Sequence, residues 1–329
     1  PNRSYTVVYT PNGSIVPVDP KGNQIPGTKP VPYETDPTDP TKVVDGKVPE
    51  VPKWTPKNGA PVKPSDPTKD TEVPYDHAKT TSYTEVDGEQ TVTYVYKDKN
   101  GKVVKNKTKT VKQHTAFTGK TTKDEVTGKT TTAWDQPEHK YTAVTTPVEP
   151  GYTADQESVG GATVTPDHPN RSYTVVYTPN GSIVPVDPKG NQIPGTKPVP
   201  YETDPTDPTK VVDGKVPEVP KWTPKNGAPV KPSDPTKDTE VPYDHAKTTS
   251  YTEVDGEQTV TYVYKDKNGK VVKNKTKTVK QHTAFTGKTT KDEVTGETTT
   301  TWDQKDQKYT AVTTPVEPGY TADKKSVGG

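Results

Sequence analysis

Hydrophobic and polar positions alternate in short runs along this chain, most clearly from Val92 to Val104, VTYVYKDKNGKVV. Strand-forming residues lead to Asp98, Asn100-Gly101 stands at the centre, and Lys102-Val103-Val104 resume the pattern. Asn-Gly between β-rich runs predicts a hairpin with a type I′ turn, which needs positive φ at both central residues. The same thirteen residues recur at Val260 to Val272. A fainter version, Ile15 to Gly22, recurs at Ile183 to Gly190, and Tyr5-Val7-Tyr9 alternates cleanly as well.

Around this hairpin the pattern predicts a larger and a smaller group of strands. The larger opens with Thr80–Val86, turns at Asp87-Gly88 and returns through Gln90–Lys97. Thr108–Thr118 then reads as extended. Lys120–Val126 and Lys129–Trp134 form a threonine-rich hairpin across Thr127-Gly128, followed by Lys140–Thr146, a strand at Tyr152 and a last strand Arg171–Thr178. The smaller group, about Ser182 to Tyr243, carries more proline. Its stretch Tyr201 to Pro208 cannot be a central strand, since proline lacks the ladder donor, and is expected as a polyproline-like surface loop.

Repetition fixes the organisation. A shift of 168 residues aligns 1–161 with 169–329 without a gap and with seven differences: Lys129/Glu297, Ala133/Thr301, Pro137/Lys305, Glu138/Asp306, His139/Gln307, Gln156/Lys324 and Glu157/Lys325. A period this long marks tandem domains rather than turns of a solenoid. Inside the period, Gly161 to Tyr177 matches Gly59 to Tyr75 over seventeen residues, and Glu149-Pro150-Gly151-Tyr152-Thr153 echoes Val51-Pro52-Lys53-Trp54-Thr55. Two related half-modules therefore make one repeat. The expected boundaries are a last strand at 1–10, a small Pro-rich module at 11–76 and a complete larger module at 77–181. A second small module follows at 182–244, and 245–329 is a larger module without its last strand. The 1–10 strand is expected to be loose, or to fill the gap in 245–329 of a neighbouring molecule by strand addition.

Composition supports an all-β reading. Cysteine and methionine are absent, leucine does not occur, and only four isoleucines appear, while threonine, proline, valine and tyrosine dominate. Losing Leu and Met removes the best apolar helix formers, whereas Thr, Val and Tyr suit pleated, half-buried surfaces. Hydrophobic content of 25% raises disorder as an alternative, but the formal charge is only +1, and Pro and Gly together stay below the roughly 25–30% of low-complexity chains. The near-neutral charge disfavours nucleic acid as a partner. No apolar run approaches the roughly 20 residues of a membrane span, so no membrane insertion is expected. Without cysteine there are no disulfides and no thiolate metal sites.

Candidate chemistry is sparse. His77, His114, His139, His168, His245 and His282 lack metal-type spacing, and no hydrolase, zincin or phosphate-loop motif occurs. No catalytic residue, cofactor or metal is expected. Asp36, Asp39 and Asp45 do not have EF-hand spacing and fit a solvated turn better than a Ca²⁺ loop. Trp54, Trp222, Tyr152 and Tyr320 read as core rather than sugar-stacking platforms. Residues 97–112, repeated at 265–280, hold seven lysines and one acid. On a strand, Lys105, Lys107 and Lys109, and likewise Lys273, Lys275 and Lys277, would share one face. They read as edge lysines that block sheet-to-sheet aggregation, or as a basic strip for sialylated or sulfated glycans.

Taken in order, VTYVYKDKNGKVV, TGKTTKDEVTGKTTTAWD, YTAVTTPVEPGYTAD and PNGSIVPVDPKGNQIPG with DPTDPTK resemble the mucus-binding (Mub, MucBP-type) repeats of lactobacillar cell-surface adhesins. The larger half resembles their B2-type unit. The resemblance implies a mainly β, rod-like tandem array of small modules with β-grasp, ubiquitin-like elements. It further implies a secreted, cell-wall-anchored adhesin that binds mucin glycoproteins and their glycans, with immunoglobulins as a further partner of some members. It supplies no catalytic residue. A non-binding stalk that presents a distal domain is the alternative from another class.

Overall fold

The computed structural model describes residues 2–329, and these are almost entirely β; the only helical turns among them are two three-residue 3-10 turns. The chain gathers into two compact units. One holds residues up to Val95 with Lys105–Thr145 and Ser158–Val175, and the other holds Tyr96–Val104, Thr146–Glu157 and Val176–Gly329.

In the first unit, each larger-module feature hangs on one ladder. Strand Lys79–Tyr96 runs antiparallel to Lys109–Asp124 in unbroken register from Lys79 opposite Asp124 to Tyr94 opposite Lys109. Strand Thr130–Trp134 adds to the outer side, joined across Thr127-Gly128 as the pattern predicts, with Gly128 at positive φ. Even-numbered positions of the long strand point inward, burying Val92 and Tyr94, and Phe117, Tyr141 and Val164 form a core cluster with Val86 and Trp134 against it. The buried Gln90 is satisfied on both ends of its amide. Its Nε2 donates to Gln113 Oε1 and the Thr142 carbonyl, and its Oε1 accepts from the Gly161 amide.

The expected turn at Asp87-Gly88 does not exist. The strand passes straight through, and Gly88 is required for a different reason: a Cβ there would lie 2.9 Å from Pro169 and from the Tyr141 hydroxyl. The glycine permits close approach rather than reversal.

The Asn100-Gly101 turn also differs from expectation. Only Gly101 takes positive φ, so the loop is not type I′. Asp98 organises it instead. Its carboxylate accepts the Asn100 and Lys102 amides, and its carbonyl accepts the Gly101 amide. The outcome is a hairpin loop closed by one left-handed glycine and an aspartate side chain. Asp19, Asp187 and Asp266 build the same loop with Lys21 and Asn23, Lys189 and Asn191, and Asn268 and Lys270. Both half-modules thus share one Asp-x-x-Gly geometry.

The small module is a four-stranded sheet. Ser14–Val18 pairs in parallel with Thr71–His77, and Val31–Pro32 and Trp54–Pro56 flank them antiparallel. Ile15, Ile25, Tyr33, Val48, Val73 and Tyr75 form its core, with Trp54 packed against it. The second small module repeats this with Ile183, Ile193, Tyr201, Val216, Val241 and Tyr243. Tyr201 therefore belongs to the core, which corrects the reading of Tyr201 to Pro208 as a surface loop from end to end. The DPTDPTK segment that follows is a set of Asp-anchored turns: Asp204 and Asp207 each accept the backbone amide and hydroxyl of the threonine two residues on. In the first copy, the matching residues close a small hairpin, Thr35–Asp36 with Asp39–Val43.

Each small module meets the next larger one at a His–Asp pair. His77 Nδ1 lies 2.7 Å from Asp124 Oδ2, with the imidazole edge-on to Trp54 at 4.7 Å, and the Glu125 amide donates to the Ala78 carbonyl. His245, Asp292 and Trp222 repeat the arrangement. Backbone donation from Thr127, then the His77 hydrogen bond, lowers the Asp124 carboxyl to about 2, and Thr295 and His245 do the same for Asp292.

Two outcomes follow for stability. The Tyr33 hydroxyl is buried and has no partner in the protein, whereas the Tyr75 hydroxyl donates to the Pro49 carbonyl. Tyr33→Phe should leave the urea midpoint unchanged or raise it, while Tyr75→Phe should cost about 1 kcal/mol. Secondly, a carboxylate with a depressed folded pKa contributes stability above its unfolded value and loses it as pH falls. The thermal midpoint should hold down to pH about 4 and drop between there and about 2, and Asp124→Asn with Asp292→Asn should shrink that drop.

Candidate functional site

The lysine strip does not lie on one strand face. After the Asp98 loop the chain makes a 3-10 turn at Lys105–Lys107, and the strand begins only at Lys109; the second copy has Lys273–Lys275 and Lys277 in the same places. A 3-10 turn rotates roughly 120° per residue, so two residues spaced by two diverge rather than align. The cause is local: the Thr276 amide closes back onto the Lys273 carbonyl and the Lys275 amide onto the Val272 carbonyl.

The second copy shows what these lysines do. Lys275 Nζ donates to the Tyr320 hydroxyl at 3.2 Å and sits 5.4 Å from its ring centroid. Lys277 Nζ lies 3.6 Å from Glu317 Oε2 and 5.8 Å from the Tyr264 ring. The Tyr264 hydroxyl donates to Glu317 at 2.9 Å, which raises the phenol pKa, and the Tyr264 and Tyr320 rings meet edge to face at 5.2 Å. This is an aromatic cluster with two cations held over π faces and one carboxylate between them. Further along, Lys280 and His282 converge on Glu257 at 3.1 and 3.6 Å, as Lys112 and His114 do on Glu89 at 3.1 and 3.5 Å. The net positive field of the strip is therefore weaker than seven lysines suggest. What remains is a surface where ammonium, phenol and carboxylate groups stand together around a half-exposed Tyr320, suited to hydrogen bonding and stacking against a polyhydroxylated ring.

A second surface went unnoticed in the sequence. Tyr83 stands 67% exposed on the outer face of the long strand, opposite Lys120, with its hydroxyl donating to Glu85. Across the ladder from Glu85, Thr118 donates to Asp135 at 2.6 Å. Tyr251, Glu253, Thr286 and Asp303 repeat this. The available signal was parity: Thr81, Tyr83, Glu85 and Asp87 share the polar side of a strand whose other side carries Val92 and Tyr94.

The aspartates considered for calcium have turn duties. Asp36 accepts from the Thr38 amide and hydroxyl, Asp39 from those of Thr41, and Asp45 pairs with Lys63 at 3.7 Å. Among the described residues no group of three or more His, Asp or Glu is placed to hold a metal, and no helix is long and apolar enough to cross a membrane.

Comparison with known proteins gives these surfaces a context. No curated protein sequence matches the chain. Among solved structures, it is similar to Mub-RV, at 20% identity over 52% of this chain and all of that one, with a TM-score of 0.34. It is also similar to the type 2 repeat of the mucus binding protein MUB from Lactobacillus reuteri, at 18% identity over 52% of this chain and all of that one, with a TM-score of 0.30. The mucin-binding domain of Spr1345 from Streptococcus pneumoniae matches at 25% identity over 31% of this chain and 96% of its own, with a TM-score of 0.23. The Muc B2-like domain model matches residues 78–181 and again 246–329, more than half of the chain. With its tandem small β modules and two such matches, the chain belongs to the Muc B2-like, mucus-binding domain family.

Proposed function

We propose that this chain is part of an extracellular, cell-wall-anchored adhesin whose larger modules, 77–181 and 245–329, bind mucin glycans through weak contacts repeated along the array. The observation that carries this reading is the double match to a mucus-binding domain family, in two copies that differ at only seven positions. The same lysine segment occurs at 97–112 and again at 265–280, and two weak sites on one chain raise overall avidity if both engage one mucin.

The Lys105 to Lys109 and Lys273 to Lys277 segments, with the tyrosines beside the latter, are the proposed contact surface. Ammonium groups that already rest on aromatic rings keep free N–H donors for sialate, sulfate or neutral sugar hydroxyls. Contacts of this kind between exposed charges are screened at physiological ionic strength.

The test is retention on immobilised mucin across a salt series. Replacing Lys105, Lys107, Lys109, Lys273, Lys275 and Lys277 with Gln should reduce retention several-fold at low salt and flatten its salt dependence. Unchanged low-salt retention would remove these lysines from the site. No retention of the parent chain would leave it a spacer, and retention that survives glycan oxidation of the mucin would point to a protein partner such as immunoglobulin.

A further inference from the structure

The outer face of the long ladder carries a constellation that the lysine segments do not account for. One side of strands Lys79–Tyr96, Lys109–Asp124 and Thr130–Trp134 is closed, where Val86, Phe117 and Trp134 pack together. Register places Tyr83, Lys120 and Ala133 in one row on the opposite side, with Glu85 and Thr118 in the next. Tyr83 and Tyr251 are exposed to the same 67%, so the ring is bare in the complete larger module and in the second copy alike.

The ring is held in place. Its hydroxyl donates to Glu85 Oε2 at 2.7 Å, and Thr118 Oγ1 donates to Asp135 Oδ2. The Glu85 hydrogen bond first, then desolvation and the fields of Glu85, Asp135 and Asp87, raise the Tyr83 phenol above its ordinary pKa, so three carboxylates act on one ring. Glu85 Oε1, Asp135 Oδ1 and the Lys120 ammonium have no hydrogen-bond or ion-pair partner among the described residues. In the second copy Tyr251 donates to Glu253 and Thr286 to Asp303, with Lys288 opposite Tyr251. Within this face the copies differ only at Ala133/Thr301, so ring, carboxylates and ammonium recur together.

Charge and geometry select what this face can take. Three carboxylates outweigh one ammonium, so sialate and sulfate groups are repelled. The exposed phenol ring offers a negative π face, against which the partly positive C–H bonds of a sugar can lie. Carboxylate oxygens accept from hydroxyls and the ammonium donates to them, so acceptors and a donor border the ring. Lys120 stands on the adjacent strand, roughly 4.8 Å away by backbone spacing, and its charge disfavours a cationic peptide over the ring.

We infer that the faces around Tyr83 and Tyr251 bind a neutral pyranose, stacked on the phenol ring with its hydroxyls bonded to the neighbouring carboxylates and lysine. This rests on the glycan-binding reading above, at a site separate from the lysine segments and for an uncharged class of sugar. An uncharged ligand leaves no ion pair for salt to screen, so the contact is insensitive to ionic strength.

Saturation-transfer NMR on the intact chain tests this, with methyl β-galactoside and methyl β-glucoside as neutral probes and a methyl α-sialoside as the charged one. At least one neutral probe should receive saturation at its ring protons, at low and high salt alike. Tyr83→Thr with Tyr251→Thr should abolish that transfer. Both rings are exposed and threonine suits a strand, so the variant's thermal midpoint should equal the parent's. The sialoside, repelled from this face, reports on the lysine segments instead, so the two readings fail separately. No transfer to either neutral probe, transfer that survives loss of both rings, or transfer that collapses at high salt would each overturn the proposal. Tyrosine-dependent binding of an oligolysine peptide, with no transfer to the sugars, would also overturn it and assign the face to a cationic protein segment.

Discussion

The buried tyrosine is the constraint on which these modules depend. A chain without leucine or methionine must fill its cores with Tyr, Val and a few Ile, and each tyrosine brings a hydroxyl that costs free energy unless it is bonded. Three times the same answer appears: Tyr75 to the Pro49 carbonyl, Tyr177 to Pro147 and Tyr243 to Pro217. Proline segments serve here as acceptors placed at fixed distance, because they have a carbonyl to offer and no amide of their own to satisfy. At these three positions tyrosine and proline are two sides of one packing solution.

This solution makes each module small, and in the complete larger module the last strand contributes Val175 and Tyr177 to the core. Domains of this size bury a modest share of their surface, so one unpaired edge strand removes a large part of the core. The strand that completes a larger module runs on directly into the next small module through Asn180 and Gly181, so completion of one module and attachment of the next are a single event. A tandem adhesin built this way gains its joints from the same residues that finish its cores.

Much of this was legible in the chain and some was not, for identifiable reasons. Period-two alternation and the 168-residue repeat predicted strands at Lys129–Trp134, at Tyr152 and at Arg171–Thr178, and the structure has them at Thr130–Trp134, Tyr152–Ala154 and Arg171–Pro179, because alternation reports burial on one face directly. The dipeptides Asp87-Gly88 and Asn100-Gly101 misled in opposite ways. Glycine serves both turns and close approach, and only the packing of Pro169 and Tyr141 over Gly88 tells them apart. At Asn100-Gly101 the deciding group was Asp98, two residues upstream, whose carboxylate fixes the loop with Gly101 alone at positive φ. The lysines were visible, but their placement was not: a 3-10 turn carries no hydrophobic period to read. Tyr83 was visible as a strand residue, and its exposure followed from a continuous strand that the assumed turn had hidden.

Repetition of a weak surface is the central claim, and the comparison of one copy with two tests it most directly. Dissociation from a mucin-coated surface would be measured for the whole chain and for residues 11–181, which contain one small and one complete larger module. The account predicts that both bind and that the two-copy chain is held more tightly overall, by as much as roughly 10²-fold or more where both copies engage. Equal dissociation of the two, or binding by neither, would contradict it.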